Sequence, residues 1–312
     1  MTAGAVRGRR TGGNLYARHM LDALRRGGPR VATLRVTGRR ISTRAPVAII
    51  DTIAAREAAP QLARLRGAGT RVIALALMQQ GALTLARRSD RVIALSRSLA
   101  RELQQAGIPR SRIVVVAPGR DGVPRAPRVA TTGVRVLCVA NWTPGKGIHT
   151  LLAAAARVPE VSIDLVGDAP DPRYAMRVRA LIRALDGQAV EHGSLGTRAL
   201  ARRYAEASIF ALPSIREGYG IVYSEALAHG LPVIACDIAA VREVTNGAAV
   251  LVPPGRVRPL ADALRDLVQS DGRRGTLARR ARVRARALPT WRESEAALAR
   301  IIERERATPR TS

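Results

Sequence analysis

The chain has 312 residues, of which 47% are hydrophobic and 24% are charged, and these proportions exclude a disordered, collagenous or disulfide-stapled protein. The formal net charge is +28, from 52 basic and 24 acidic residues, and because Lys146 is the only lysine, 51 of the basic residues are arginine. The longest apolar runs are strand-length, far short of the ~20 residues of a membrane helix. With no secretory signal at its start, the sequence predicts a cytoplasmic protein.

The positive charge is concentrated in the first 130 residues, which hold 25 arginines and 6 acidic residues, a net charge of +19; the rest has a net charge of +9. Nucleic acid, anionic lipid headgroups and phosphorylated substrates would all suit such a field. An arginine bias of this kind also arises from codon composition alone. Aromatic residues make up only 3% of the chain, which leaves few stacking platforms, so we expect no nucleic-acid partner.

Short β-rich runs alternate with helix-length amphipathic stretches along most of the chain, which predicts parallel sheets with helical crossovers. In the first part the predicted strands are apolar on both faces, as buried parallel strands are. The strands span 30–36, 47–53, 71–77, 91–96 and 113–117, and the helices lie near 14–27, 54–68 and 97–107.

A segment rich in proline, glycine and arginine, residues 117–133, has no apolar periodicity and predicts a linker. The alternation then resumes. Strands are predicted at 134–140, 161–166, 208–212, 232–235 and 248–252, and helices near 147–157, 172–185, 197–206, 221–229, 256–270 and 291–304. We therefore expect an α/β protein with two Rossmann-like doubly wound domains, 1–125 and 126–312.

The start of the first domain departs from this pattern. A doubly wound domain normally opens with a strand that leads into a Gly-rich turn. Here Gly12 and Gly13 follow directly on MTAGAVRGRRT, which contains no clear strand. The first domain is therefore predicted to be short, and either truncated at its start or degenerate. Gly12 and Gly13 precede a helix and are candidates for a phosphate-facing turn.

The segment 212–237, LPSIREGYGIVYSEALAHGLPVIACD, carries the strongest chemical signal. A strand ends at Pro213, a Gly-Tyr-Gly turn opens a helix, and a second strand follows. Backbone N–H groups at a helix N-terminus, outside the carboxyl end of a parallel strand, form an anion site. Glu217 lies at the mouth of this turn. Glu225 lies further along the helix, where a carboxylate is suited to accept hydrogen bonds from two vicinal ribose hydroxyls.

These residues resemble the retaining glycosyltransferases of family 4, which have the GT-B fold. That fold implies two domains that face a central cleft, with the last helix packing back toward the first domain. The resemblance rests on the two glutamates eight positions apart and on the segments 136–154, 161–170, 192–214 and 243–264. It implies that Glu225 binds the ribose of a nucleotide, and that Glu217 and four backbone amides hold the donor sugar and the diphosphate. The four amides belong to Gly218, Tyr219, Gly220 and Ile221.

Lys146 lies in a Pro-Gly-Lys-Gly turn between a predicted strand and a predicted helix, where an ammonium can meet a diphosphate. The turn is not a P-loop, because Gly147 follows where Ser or Thr should stand. A solvated surface lysine is the ordinary alternative. A single lysine in an arginine-rich chain favours a specific role, since the two cations are not interchangeable. Together with the resemblance, this predicts that Lys146 is a phosphate ligand and that Lys146 and Glu217 are the catalytic residues.

The sequence also departs from the family pattern. The family commonly has an arginine at the strand end before the lysine, where this chain has Asn141, whose amide is a candidate donor ligand. It also commonly has a histidine in the first domain, where this chain has Gln79 and Gln80. Of the histidines present, His192 is the best candidate for a place near the donor.

The resemblance implies a hexosyltransferase-like enzyme that moves a sugar from a nucleotide diphosphate sugar to an acceptor, with retention and without a metal or cofactor. The C-terminal domain would bind the nucleotide sugar and the N-terminal domain the acceptor. Lipid-linked and polysaccharide acceptors are both open, as is peripheral contact with an anionic membrane at its inner face. The alternatives are a catalytically impaired relative acting as a binding or scaffold protein, and a nucleic-acid binder, whose affinity would fall steeply with salt.

Overall fold

The structure is a computed structural model that describes residues 12–26, 32, 45–78, 81–122 and 133–307, apart from the side chain of residue 53. The chain divides into two compact units. One unit consists of Met1–Gly119 together with Pro289–Ser312, and the other of Arg120–Leu288. None of the described helices is long and apolar enough to cross a membrane.

The first unit alternates strands and helices as the sequence predicts. Its elements in chain order are α1 (Gly12–Arg26), β1 (Val47–Asp51), α2 (Ala55–Ala58), α3 (Leu62–Gly67), β2 (Arg71–Ala76), α4 (Ala82–Arg88), β3 (Arg91–Ala94), α5 (Arg97–Gln105) and β4 (Ile113–Val115). The four strands form one parallel sheet in the order β1-β2-β3-β4. The central strands β2 and β3 are buried over nearly their whole length, because helices cover both faces of a parallel sheet.

Several predictions for the first unit lie outside the described residues. These are the strand at 30–36, except for Ala32, the segment before Gly12, Gln79 and Gln80, and most of the predicted linker, residues 123–132. Helix α4 was not predicted from the sequence. It has seven residues, of which Ala82, Leu85 and Ala86 are buried, a pattern too short to show helical periodicity.

The second unit contains a parallel sheet of six strands. Its elements are β5 (Val134–Val139), α6 (Ile148–Ala155), β6 (Val161–Val166), α7 (Pro172–Ala184), β7 (Ala189–Gly193), α8 (Thr197–Glu206), β8 (Ile209–Leu212), α9 (Ile221–Ala228), β9 (Val233–Cys236), α10 (Ala239–Thr245), β10 (Ala249–Val252), α11 (Val257–Gln269) and α12 (Asp271–Arg286). The predicted α/β class with two parallel sheets is thus confirmed.

The strand order β10-β9-β8-β5-β6-β7 reverses direction at β5. From β5 the chain builds outward through β6 to β7, then returns to β8 on the other side of β5 and builds toward β10. The loops that follow β5 and β8 therefore leave neighbouring strands at a topological switch point. In open α/β sheets this is where ligands bind.

The last helix, α13 (Trp291–Ala307), belongs to the first unit and packs on α1. The His19 ring stacks on Trp291 with centroids 3.9 Å apart, and Glu295 accepts hydrogen bonds from His19 and from Arg26, the latter at 2.6 Å. Near its end, α13 places Glu305 against the sheet.

Glu305 is 4% exposed and accepts from two arginines. Arg71 Nη1 lies 2.9 Å from Oε2 and Arg91 Nε lies 2.7 Å from Oε1. These arginines begin the adjacent strands β2 and β3, so one buried carboxylate joins the C-terminal helix to the amino edge of the first sheet.

Replacement of Glu305 by glutamine should lower the free energy of unfolding by about 3 kcal/mol, because it leaves two guanidinium groups without their counter-charge. The matched control is Glu303→Gln, since Glu303 is an exposed residue of the same helix. Urea denaturation followed by circular dichroism measures both variants. Equal stability of the two variants would show that the contact with Glu305 does not hold α13 in place.

Candidate functional site

The loop after β5 carries Asn141 and Lys146. Asn141 is half-buried and follows the strand almost directly, and residues Pro144–Lys146 form one turn of 3₁₀ helix. Gly147 then adopts a left-handed conformation, with φ of 67°, and α6 begins at the next residue. A Cβ atom at Gly147 would overlap the carbonyl oxygen of Pro213, so only glycine permits this approach to the loop after β8.

The loop after β8 is bonded directly to the loop after β5. The carbonyl oxygen of Gly145 accepts from the Ile215 amide at 2.9 Å and from Ser214 Oγ at 3.2 Å. Ser214 is fully buried. Lys146 is adjacent to Gly145, and Glu217 is two residues beyond Ile215. The bonds between the two loops therefore hold Lys146 and Glu217 close to each other.

The structure brings the two predicted catalytic residues into contact. Lys146 Nζ donates to Glu217 Oε1 at 2.7 Å. The side chains are 28% and 9% exposed, so the carboxylate is more enclosed than the ammonium. In this arrangement the two charges compensate each other, and the accessible member of the pair is the cation.

Residues 218–221 form the entry to α9. Gly220 has φ of 94°, and the ring of Tyr223 packs where a side chain at Gly220 would lie. Tyr223 Oη in turn donates to the carbonyl oxygen of Leu212 at 2.9 Å, which ties the first turn of α9 to the end of β8. The first amides of a helix lack intrahelical acceptors, so this turn carries the positive end of the helix dipole.

Tyr219 contributes to this turn through its backbone rather than its ring. The side chain is 4% exposed, and its hydroxyl oxygen is buried without a hydrogen-bond partner among the described residues. Burial raises the pKa of Tyr219 to about 12, so the phenol is neutral at pH 7. Of the remaining residues in this stretch, Gly218, Gly220 and Ile221 are also buried.

Glu225 is half-buried on α9 and contacts α8. Tyr204 Oη donates to Glu225 Oε2 at 2.9 Å. Burial, and after it the negative charge of Glu225, raise the pKa of Tyr204 well above its ordinary value. Tyr204 is therefore protonated, and a hydrogen-bond donor, near neutral pH.

The ring of Tyr204 also stacks on His229, with centroids 4.8 Å apart and planes 15° apart. Burial lowers the pKa of His229 to about 4, so this histidine is uncharged near neutral pH. Nothing in the sequence singled out Tyr204. Its position on the buried face of an amphipathic helix is typical of a core residue. Only the hydrogen bond to Glu225 indicates a functional role.

Three further residues predicted to lie near the donor are Gly12, Gly13 and His192. Gly12 and Gly13 form the first positions of α1 in the first unit, where Gly12 is exposed and Gly13 half-buried. His192 Nε2 lies 2.6 Å from Oδ1 of the buried Asp164, whose other oxygen accepts from Arg135 at 3.3 Å. His192 is thus part of a polar cluster on strands β5, β6 and β7.

Among the described residues, no group of three or more His, Cys, Asp and Glu side chains is arranged to hold a metal ion. The chemistry available at the loops after β5 and β8 is an ammonium, a carboxylate and a helix N-terminus side by side. Such a set can bind a phosphorylated group through the cation and the amides, and hydroxyl groups through the carboxylates.

Two family models match the chain. One, described as glycosyl transferases group 1, matches residues 133–270, and the other, described as glycosyltransferase family 4, matches residues 19–123. The chain is 33% identical over 235 residues to D-inositol 3-phosphate glycosyltransferase of Xylanimonas cellulosilytica. The aligned residues make up 67% of this chain and 56% of the relative. The chain spans about half the length of the curated relatives it matches.

Solved structures share the fold. Sucrose-phosphate synthase from Thermosynechococcus elongatus superposes with a TM-score of 0.80 at 19% identity, over 94% of this chain and 93% of that one. Anabaena HepE, in a complex with UDP-glucose, superposes with a TM-score of 0.72 at 20% identity, over 82% and 78% of the two chains. Since the two family models together span most of the sequence and these neighbours have the same architecture, the chain belongs to the family 4, group 1 glycosyltransferases with the GT-B fold.

Proposed function

We propose that the protein is a glycosyltransferase that moves a sugar from a nucleotide diphosphate sugar to an acceptor. The observation that carries this proposal is the Lys146–Glu217 pair, set beside the first turn of α9 at the switch point of the six-stranded sheet. The family supports the same reaction, and the HepE complex shows that one protein of this fold holds a nucleotide sugar.

In the proposed donor complex, Lys146 and the amides of the α9 entry compensate the charge of the diphosphate. Those amides belong to Gly218, Tyr219, Gly220 and Ile221. Glu217 accepts hydrogen bonds from hydroxyls of the sugar and Glu225 from hydroxyls of the ribose. The Asn141 amide is a further ligand at the end of β5, and Gly12 and Gly13 are the ligands proposed from the first unit.

During transfer the bond between the anomeric carbon and the diphosphate oxygen breaks, a bond to the acceptor oxygen forms, and the proton of the acceptor hydroxyl passes to the departing diphosphate. Negative charge grows on the departing diphosphate. Lys146 and the helix N-terminus stabilise that charge, so we propose that the reaction needs neither a metal ion nor a cofactor. Retention of the anomeric configuration is proposed on the family resemblance.

The acceptor is proposed to meet the basic first part of the chain, whose net charge over 130 residues is +19. The acceptor of the Xylanimonas relative, by its name, carries a phosphate. A lipid-linked or polysaccharide acceptor with anionic groups would be attracted by the same field. We propose that the protein works in the cytoplasm, in peripheral contact with the anionic inner face of the membrane.

Lys146→Ala should lower the transfer rate by about 10²–10³-fold, the size of effect seen when one preorganised donor to developing charge is removed. Lys146→Arg should restore only part of the rate, since a planar guanidinium would be held by Glu217 through two hydrogen bonds in a fixed plane, unlike a flexible ammonium. The rates are measured as product formed from radiolabelled nucleotide sugars, with a panel of lipid and polysaccharide acceptors.

The control is Arg157→Ala, which removes an exposed cation beyond the far end of α6. Full activity of Lys146→Arg would show that only the charge matters. Nucleotide binding by the wild-type protein with no transfer to any acceptor would favour the binding or scaffold alternative.

Glu225→Ala should weaken the binding of a nucleoside diphosphate by about tenfold to a hundredfold, because hydrogen bonds to a charged group contribute about 1.5–3 kcal/mol each. Isothermal calorimetry with UDP, GDP and ADP measures the affinity. Glu160→Ala is the matched control, since Glu160 is an exposed carboxylate of the same unit. An unchanged affinity in Glu225→Ala would remove Glu225 from the ribose site.

A further inference from the structure

The contact between Tyr204 and Glu225 joins two helices at a functional carboxylate. Tyr204 is 2% exposed and lies near the end of α8, whereas Glu225 lies on α9. The hydroxyl donates to Oε2 at 2.9 Å. We propose that Tyr204 is a positioning residue that prearranges the Glu225 carboxylate, and that it thereby makes the nucleotide site selective for ribonucleotides over 2′-deoxyribonucleotides. This inference rests on the proposed role of Glu225 as the ribose ligand.

The hydroxyl of Tyr204 is held in place independently of Glu225. Its ring stacks on Phe210 with centroids 6.1 Å apart and on His229 with centroids 4.8 Å apart. Phe210 is fully buried in β8, and His229 directly follows α9. The ring is thus fixed by the sheet and by the end of α9, so its oxygen is a defined point of attachment for the carboxylate.

The backbone on the other side of the contact is also fixed. The His229 amide donates to the Glu225 carbonyl oxygen at 3.0 Å. With the backbone of Glu225 held by the helix and Oε2 held by Tyr204, the torsions of the intervening side chain are restricted. A glutamate side chain that becomes ordered only on binding would lose rotamer freedom at that moment, and a preordered one does not.

The direction of the hydrogen bond strengthens this assignment. Burial raises the pKa of Tyr204 well above its ordinary value, so near neutral pH the phenol is protonated and donates to Glu225 Oε2. A carboxylate has two oxygens with about four acceptor positions, so it can accept from a tyrosine and from vicinal hydroxyls together. The loss of one ribose hydroxyl lowers the affinity most where the carboxylate is already oriented.

Tyr204→Phe tests this because it removes the hydroxyl and keeps the stacked ring. Affinities are measured by calorimetry for UDP, GDP and ADP, for their 2′-deoxy counterparts, and for inorganic pyrophosphate, which has no ribose. We expect Tyr204→Phe to weaken ribonucleotide binding by about three- to tenfold, to affect the deoxy forms less, and to leave pyrophosphate unchanged. The ratio of deoxy to ribo dissociation constants should therefore fall.

Two further variants make the comparison specific. In a Glu225→Ala background, Tyr204→Phe should change ribonucleotide affinity by less than about twofold, because its effect passes through the carboxylate. Tyr174→Phe is the matched control: Tyr174 is a buried tyrosine of the same unit whose hydroxyl lies 2.9 Å from His149 Nδ1. Its ratio of dissociation constants should match that of the wild type.

Replacement of Tyr204 by 4-aminophenylalanine restores a donor at the para position and should recover the wild-type ratio. This variant also serves if Tyr204→Phe does not fold. Equal weakening of ribonucleotide, deoxyribonucleotide and pyrophosphate binding by Tyr204→Phe would overturn the inference and make Tyr204 a general structural residue.

The outcomes separate this inference from the proposed function. If Glu225→Ala abolishes the preference for ribonucleotides and Tyr204→Phe does not alter it, the inference fails and the role of Glu225 stands. If the wild type shows no preference, or Glu225→Ala leaves it intact, the ribose role of Glu225 fails and the inference fails with it.

Discussion

The candidate site depends on one close approach between two loops. Gly147 adopts a conformation that few other residues tolerate, and it does so against the carbonyl of Pro213. The Gly145 carbonyl then accepts two hydrogen bonds from the loop after β8. Because the strand order reverses between β5 and β8, these loops leave adjacent strands and diverge only beyond the contact. The Lys146–Glu217 pair and the first turn of α9 are positioned by that junction.

Some of the arginines have structural roles that the net charge alone does not reveal. Arg112 Nη2 donates to the carbonyl oxygens of Ala86 and Ser89 at the end of α4, both at or below 2.6 Å. Arg284 donates in the same way to carbonyls of residues 243 and 244 in α10. Helix C-termini leave such carbonyls without intrahelical donors, and a cation there also complements the helix dipole. Several guanidinium groups therefore have a role in the fold itself, and the number of arginines alone does not give the number available for contact with a partner.

The sequence predicted most elements because buried parallel strands are continuous apolar runs. Strand β6 and helix α8 have the predicted bounds. Strand β7 was missed because Glu191 and His192 interrupt its apolar character, as is tolerated at the edge of a sheet. Helix α12 was missed because arginines dominate it and only four of its residues are buried. These four are Leu277, Ala278, Ala281 and Ala285. Strand order and the Tyr204–Glu225 contact depend on tertiary packing, which no local pattern encodes.

The ion pair at the centre of the site explains why a lysine stands there in a chain that otherwise uses arginine. An arginine paired with Glu217 would form two parallel hydrogen bonds in a fixed plane, and moving it to another anion would break both. The ammonium of Lys146 is a compact charge on a flexible stem, bonded to Glu217 through one short contact of 2.7 Å. In the proposed donor complex it would turn toward the diphosphate while keeping part of its interaction with the carboxylate. The carboxylate would then have more acceptor capacity for sugar hydroxyls, so binding of the two halves of the proposed donor would be coupled through this pair.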